Sequence, residues 1–304
     1  FDMYFSAPEQ TAKAFIDMGF RGVFCGAVNN FCGSPKLLEE HYVKLNSTSP
    51  LISYKPGFHA EYTTSLEIME QIASLAQKYH APVWCHNSET KSETEGCISR
   101  YGKTPTELME SIGMFEYGGG GYHCIYFTEN DMDIFRRHNM TAVTNPASNS
   151  KLASGIADIS SLMSHGINVA IGTDGAASNN ALDMFREMYL CTVLQKLRYS
   201  DAAAMPAENV LRAATLGGAK AMELDCGSIE AGKLADFAVV DMRRPSMQPE
   251  NDIVKNLVFS GSKDIIRMTA VGGKILYENG SFAGIDTEKL YHDCARICER
   301  IFAK

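Results

Sequence analysis

The sequence predicts an α/β chain organised as a (β/α)8-type barrel followed by a small β appendage, on three observations. Short apolar runs alternate with amphipathic helical stretches through the first 226 residues, polar residues stand where several of those runs end, and from Gly227 onward the pattern changes to short strands separated by turns. Strands that alternate with helices build parallel sheets, and in such sheets the carboxyl ends of the strands carry the chemistry.

The run Ile-Gly-Thr-Asp-Gly-Ala-Ala-Ser-Asn-Asn at 171–180 follows an apolar stretch and places Asp174 just beyond a buried strand. An acid there is a candidate ligand or base, with a cap on the following helix as the alternative. His86 closes Ala-Pro-Val-Trp-Cys-His at 81–86, and His123 closes Gly-Tyr-His at 121–123. If these strands are parallel neighbours, the three side chains converge on one pocket.

Taken in order, strands are expected at 22–25, 51–54, 82–85, 122–127, 141–143 and 168–171. Thr64 and Glu67 form a capping box before a helix in which Ile68, Met69, Ile72, Leu75, Ala76 and Tyr79 recur at helical spacing. Thr128 and Asp131 make a similar start, Asp158 caps a short helix ended by Gly166, and another helix runs from Pro206 to about Met222. Gly118–Gly121 reads as a loop, because no Gly-Lys-Ser/Thr follows to make a phosphate cradle. Beyond Gly227, strands are expected at 237–240, 266–271 and 274–277, the last two joined by a Gly272-Gly273 hairpin turn, and a helix at 287–302 closes the chain. The predicted division is a barrel over 1–226, a β appendage over 227–283 and a terminal helical segment over 284–304.

Composition narrows the function. The 304 residues are 45% hydrophobic and carry a formal charge of −8 from 28 basic and 36 acidic side chains. Phosphate contacts need clustered Lys and Arg, so the balance argues against a nucleic-acid binder and for a small-molecule partner. The sequence holds no apolar run long enough to span a membrane and no signal-peptide layout at its start. The nine cysteines are irregularly spaced, and Cys25, Cys85 and Cys124 lie in strand-like runs. They read as reduced core residues of a cytoplasmic protein. Cys294 and Cys298 share a helix face, but no second pair accompanies them to make a zinc knuckle.

The chemistry centres on His86 and Glu89 in His-Asn-Ser-Glu. A neutral imidazole is a good ligand for a divalent metal, and a nearby carboxylate can move a proton between water and a leaving group. His123 is placed to bond a substrate or the attacking water, or to serve as a satisfied structural histidine. His59, in a loop after the strand at 51–54, faces the same end. A Cys85 nucleophile is disfavoured, since Cys85 and His86 are adjacent on a strand and point to opposite faces.

Several strings carry a resemblance to a known family: His-Asn-Ser-Glu-Thr at 86–90, Tyr-His-Cys at 122–124, Asn-Pro-Ala-Ser-Asn-Ser-Lys-Leu-Ala-Ser-Gly-Ile at 145–156, Gly-Thr-Asp-Gly-Ala-Ala-Ser-Asn-Asn at 172–180 and Leu-Asp-Met-Phe at 182–185. Ala-Thr-Leu-Gly-Gly-Ala-Lys-Ala at 214–221 and Gly-Ser-Ile-Glu-Ala-Gly-Lys-Leu-Ala-Asp at 227–236 agree with them. The chain resembles the amidohydrolase superfamily, in particular its 5′-methylthioadenosine/S-adenosylhomocysteine deaminases and their chlorotriazine-hydrolase relatives.

That resemblance implies His86 and Asp174 as metal ligands, with Asp174 also bonded to the nucleophilic water. It makes Glu89 the proton shuttle and a substrate contact, His123 the residue that orients the water or reacting ring edge, and His59 a contact to purine or ribose. The implied cofactor is one divalent metal, zinc or iron, which lowers the pKa of a water it binds from about 15.7 toward roughly 7. A homo-oligomeric enzyme that deaminates an adenosine-type nucleoside is expected. Guanine deamination, displacement of a ring chloride, and a non-catalytic remnant that only binds ligands are the alternatives.

Departures from the family pattern matter. No His-x-His pair occurs anywhere, which leaves two ligands where a catalytic zinc takes three. The chain opens in Phe-Asp-Met-Tyr-Phe, a string that in the family ends the second barrel strand, so the resemblance implies a barrel lacking its first two βα units and a fragment of a longer product. Thr144 also stands where relatives often carry a histidine before Asn-Pro.

Overall fold

A computed structural model describes residues 1–3 and 7–303. Strands β1 (Asp2–Met3), β2 (Gly22–Cys25) and β3 (Ile52–Lys55) pair in parallel, and β4 (Gly57–Ala60), β5 (Val83–Asn87), β6 (Gly119–His123), β7 (Thr141–Thr144) and β8 (Asn168–Ile171) form a second parallel set in chain order. Pro56 separates β3 from β4. It has no N–H to give to a ladder, but its carbonyl still accepts from Trp84 at 3.2 Å, so β3 and β4 run on as one bent strand. A Cβ on Gly57 would lie 2.4 Å from Cys25 Sγ and 2.5 Å from the Trp84 carbonyl, so only glycine fits the bend.

The result is a consecutive parallel array with helices between the strands, the connectivity of a TIM-barrel-like sheet. Among the described residues β1 and β8 stand at its two ends. Alternation along the strands sorts the side chains into two cores. Val83, Cys85, Ala142, Val169 and Ile171 pack outward with the helices, whereas Cys25, Trp84, Tyr122, Val143 and Ala170 form a separate inner cluster with Ala221. His86 lies two residues beyond Trp84, so the pleat carries it to the inner side.

The structure corrects several expectations. The glycine run is strand rather than loop: β6 begins at Gly119, not at Tyr122, because its neighbours crowd it. A Cβ on Gly119 would meet the Val83 carbonyl at 1.9 Å, and one on Gly120 would meet the Trp84 ring at 2.3 Å. The helix Leu66–Tyr79 is capped by Ser65, whose hydroxyl accepts from Ile68 N, whereas the Thr64 side chain is buried toward Val28. His59 belongs to β4 rather than to a loop. The helical stretch after Pro206 is interrupted by a π-turn at Ala213–Gly217, where the backbone presses on β8 and Asn168 Nδ2 donates to the Gly217 carbonyl at 3.0 Å.

Other signals hold. Thr128 and Asp131 form the capping box of Glu129–Arg137, and Asp158 caps Ile159–Ser164 with Gly166 at φ 78° beyond its end. In the C-terminal part, β9 (Phe237–Val240), β10 (Ile266–Val271), β11 (Lys274–Glu278) and β12 (Ser281–Phe282) make an antiparallel sheet in the order β12-β11-β10-β9. Gly272 and Gly273, at φ 57° and 78°, turn the β10–β11 hairpin. The last helix spans Thr287–Phe302. Arg21 ties the sheet to the parallel array through a two-pronged bond to Asp236, at 2.6 and 3.1 Å.

Candidate metal centre

The residues singled out in the sequence gather at the carboxyl ends of β4, β5, β6 and β8. His86 stands on β5, and its ring centroid lies 4.8 Å from that of His59 on β4 and 5.4 Å from that of His123 at the end of β6. Strict alternation would send His123 away from His86, since its neighbour Tyr122 faces inward. A φ of 71° at His123 breaks the alternation and lets its ring stack near His86. Ser88, Cys124 and Asp174 also have positive φ, at 52°, 50° and 61°. Each such non-glycine residue costs of order 1 kcal/mol, and these four cluster where the strands end.

The three imidazoles share one hydrogen-bond logic. His86 Nδ1 lies 2.8 Å from the His59 carbonyl, a group that can only accept, so Nδ1 carries the proton and Nε2 keeps its lone pair. His123 Nδ1 lies 2.7 Å from Asn149 Oδ1, which fixes the same tautomer. His59 Nδ1 lies 2.9 Å from Thr63 Oγ1, whose own hydroxyl is directed to the Ala60 carbonyl. Burial, then the neighbouring His123 and His59 rings, push the His86 imidazole down to about 3, so it is neutral at physiological pH. Burial likewise lowers His59 from its ordinary value.

Asp174 completes the group. Its Oδ2 accepts from the Ser148 hydroxyl at 2.6 Å and its Oδ1 from the Gly175 amide at 2.6 Å. Burial raises this carboxyl, but the two hydrogen bonds and the His123 and His86 imidazoles outweigh it and leave the group below the usual carboxylate range. Glu89 Oε2 lies 3.7 Å from His123 Nε2, wider than a direct hydrogen bond, and its Oε1 accepts from Ser154 at 2.8 Å. The turn that presents Glu89 is held by buried Glu93, which accepts from the amides of Ser88 at 3.0 Å and Glu89 at 2.8 Å.

Ser148, Asn149, Ser154 and Glu93 join the site only through the fold. Their signal is partial: Ser148 and Asn149 come within five residues of the end of β7, whereas their near-complete burial shows only in the structure. A neutral imidazole nitrogen beside an ionised carboxylate is the donor chemistry that a zinc-class ion takes. His86 and Asp174 are donors of these two kinds, and among the described residues no group of three or more His, Cys, Asp or Glu is arranged to hold a metal ion.

A model of the amidohydrolase family matches residues 1–276. The chain belongs to the amidohydrolase family. Among its relatives, a 5-methylthioadenosine/S-adenosylhomocysteine deaminase of Clostridium tetani is 37% identical over 307 residues, an alignment covering 99% of this chain and 71% of the relative. A 5′-deoxyadenosine deaminase of Methanothrix thermoacetophila is 36% identical over 305 residues, covering 100% of this chain and 72% of its own. In three dimensions this amidohydrolase superposes with a TM-score of 0.92 on an adenosine deaminase from Xanthomonas campestris solved with bound zinc, at 30% identity over 99% of this chain and 70% of that one. No helix among the described residues is long and apolar enough to cross a membrane.

Proposed function

We propose that this amidohydrolase hydrolytically removes the exocyclic amino group of an adenosine-type nucleoside, such as 5′-methylthioadenosine, S-adenosylhomocysteine or 5′-deoxyadenosine. The observation that carries the reading is the tautomer of His86. Its Nδ1–H is spent on the His59 carbonyl, and its free Nε2 shares one end of the parallel array with the Asp174 and Glu89 carboxylates. The names of the relatives supply the substrate class.

In this reading His86 and Asp174 hold one divalent ion, zinc in the first instance, as two of the three protein ligands a catalytic zinc takes. A bound ion of this class would lower the pKa of water toward about 7, so that hydroxide is available at neutral pH. The rest falls to the protein. Glu89 accepts a proton from the water that adds to the ring carbon bearing the amino group, and delivers it to the adjacent ring nitrogen. It then carries the second proton to the amino group, which leaves as ammonia while the carbon keeps the oxygen. His123, its Nδ1–H given to Asn149, presents Nε2 beside Glu89 as an acceptor that orients the water or the reacting ring edge, and His59 contacts the purine or ribose. The position of His59, His86 and His123 at the carboxyl ends of parallel strands supports this assignment.

The test is ammonia release by the full-length protein from a panel of 5′-methylthioadenosine, S-adenosylhomocysteine, 5′-deoxyadenosine, adenosine, guanine and a chlorotriazine, with metal content measured in parallel. Turnover of one or more adenosine derivatives with stoichiometric zinc or iron is expected. Metal present but turnover confined to guanine or the triazine replaces the substrate, and absence of both metal and turnover leaves a ligand-binding remnant.

A further inference from the structure

Glu187 is a fully buried carboxylate in the first turn of the helix Met184–Tyr199, yet its two oxygens reach the two segments that hold the site. Oε2 accepts the Ala147 backbone N–H at 2.9 Å, and Oε1 accepts from the Asn179 side-chain amide at 2.7 Å. Each arm is one step from a candidate metal-site residue. Ala147 directly precedes Ser148, which bonds Asp174, and Asn149, which bonds His123. The same Asn179 amide donates to the Thr173 carbonyl at 2.6 Å, one residue before Asp174.

A buried carboxylate is costly to desolvate unless hydrogen bonds replace its water. The groups that hydrogen-bond Glu187 are neutral amides, so the arrangement gains geometry rather than charge pairing. Few side chains other than a carboxylate could accept from both donors at once. A Cβ on Gly172 would meet Asn145 Oδ1 at 2.5 Å, so the segment leading from β8 to Asp174 is also pressed against the start of the helix Pro146–Lys151. The two segments are thus packed together at one point and clamped by Glu187 at another.

We propose that Glu187 is a positioning residue that fixes Asp174 relative to His123 and His86, so that the metal donors are held in place before the ion arrives. The inference rests on the reading of His86 and Asp174 as metal donors. Outer partners that orient ligands are each worth about 10–100-fold in metal affinity or activity.

The measurement is the zinc dissociation constant of the full-length protein, by competition with a chromophoric chelator, for the wild type, Glu187→Gln and Asp131→Asn. Glu187→Gln places an amide N–H against donors and should weaken zinc by about 10–100-fold. Asp131 is the matched control: it too is fully buried, but it accepts from Thr104 and Thr128, neither of which bonds His86, His123 or Asp174. Asp131→Asn should lower thermal stability and leave the zinc affinity at the wild-type value. If Glu187→Gln does not fold, Asn179→Ala cuts one arm of the clamp and should weaken zinc in the same direction. Wild-type zinc affinity in both clamp variants, or equal weakening by Asp131→Asn, overturns the proposal. A wild type that takes up no zinc overturns it together with the metal reading, whereas zinc binding without nucleoside turnover removes only the proposed substrate.

Discussion

At the scale of single residues, the site is defined by where protons sit. His86 is neutral with its Nε2 lone pair free, and Asp174 is ionised, which is the pairing a divalent cation requires. Replacing His86 by Ala should abolish stoichiometric zinc in the purified protein, as read by metal analysis. Glu89→Gln should leave zinc bound and KM little changed while kcat for deamination falls by about 10²–10⁴, the usual worth of a general acid–base group. The sequence made His59, His86, Glu89, His123 and Asp174 legible because each is a reactive residue type near a strand end. It did not reveal what holds them. Ser148 reaches Asp174 across 26 positions, and Glu187 reaches Ala147 across 40. A hydrogen bond over such spans leaves no periodic trace, and the positive φ that re-aims His123 has no residue-type marker either.

At the scale of elements, period and punctuation were readable where each element decides its own structure. β2, β8, β9, β10 and the last helix begin and end where the pattern places them, because their boundaries coincide with local turn or capping residues. The glycine run at 118–121 reads as a loop in the sequence for the opposite reason. Glycine disfavours strand in isolation, and β6 forms there because β5 and β7 approach too closely for any side chain. Gly119→Ala should therefore destabilise the protein by about 1–3 kcal/mol or more in urea unfolding, combining overpacking against Val83 with a φ of 126° that alanine does not adopt. Thr128→Ala, by contrast, removes only a cap. Its hydroxyl accepts from Asp131 N at 3.2 Å and donates to Asp131 Oδ2 at 2.9 Å, and its loss should cost about 1 kcal/mol in the same assay.

At the scale of the whole molecule, the Arg21–Asp236 pair joins the antiparallel sheet to the parallel array. The Arg21 guanidinium and the Gly272 amide hold the Asp236 carboxyl below its ordinary value in spite of partial burial. A depressed folded-state value means that this contribution is complete above the unfolded carboxylate range, near pH 4, and fades as pH falls through the folded value. Asp236→Asn should thus lose about 1.5–3 kcal/mol at pH 7, and the gap to wild type should close in unfolding curves taken at progressively more acid pH. The inner cluster of the array has a separate use. Trp84 is the chain's one tryptophan, its indole Nε1 buried with no hydrogen-bond partner among the described residues and its ring stacked 5.8 Å from Tyr122, two residues before His86 on the same strand face. An indole so shielded from water emits toward the blue, and all intrinsic fluorescence excited at its red edge comes from this one point. The molecule therefore carries a built-in optical gauge, set directly beneath His86, through which ion uptake and the opening of the sheet interior can be followed without any added dye.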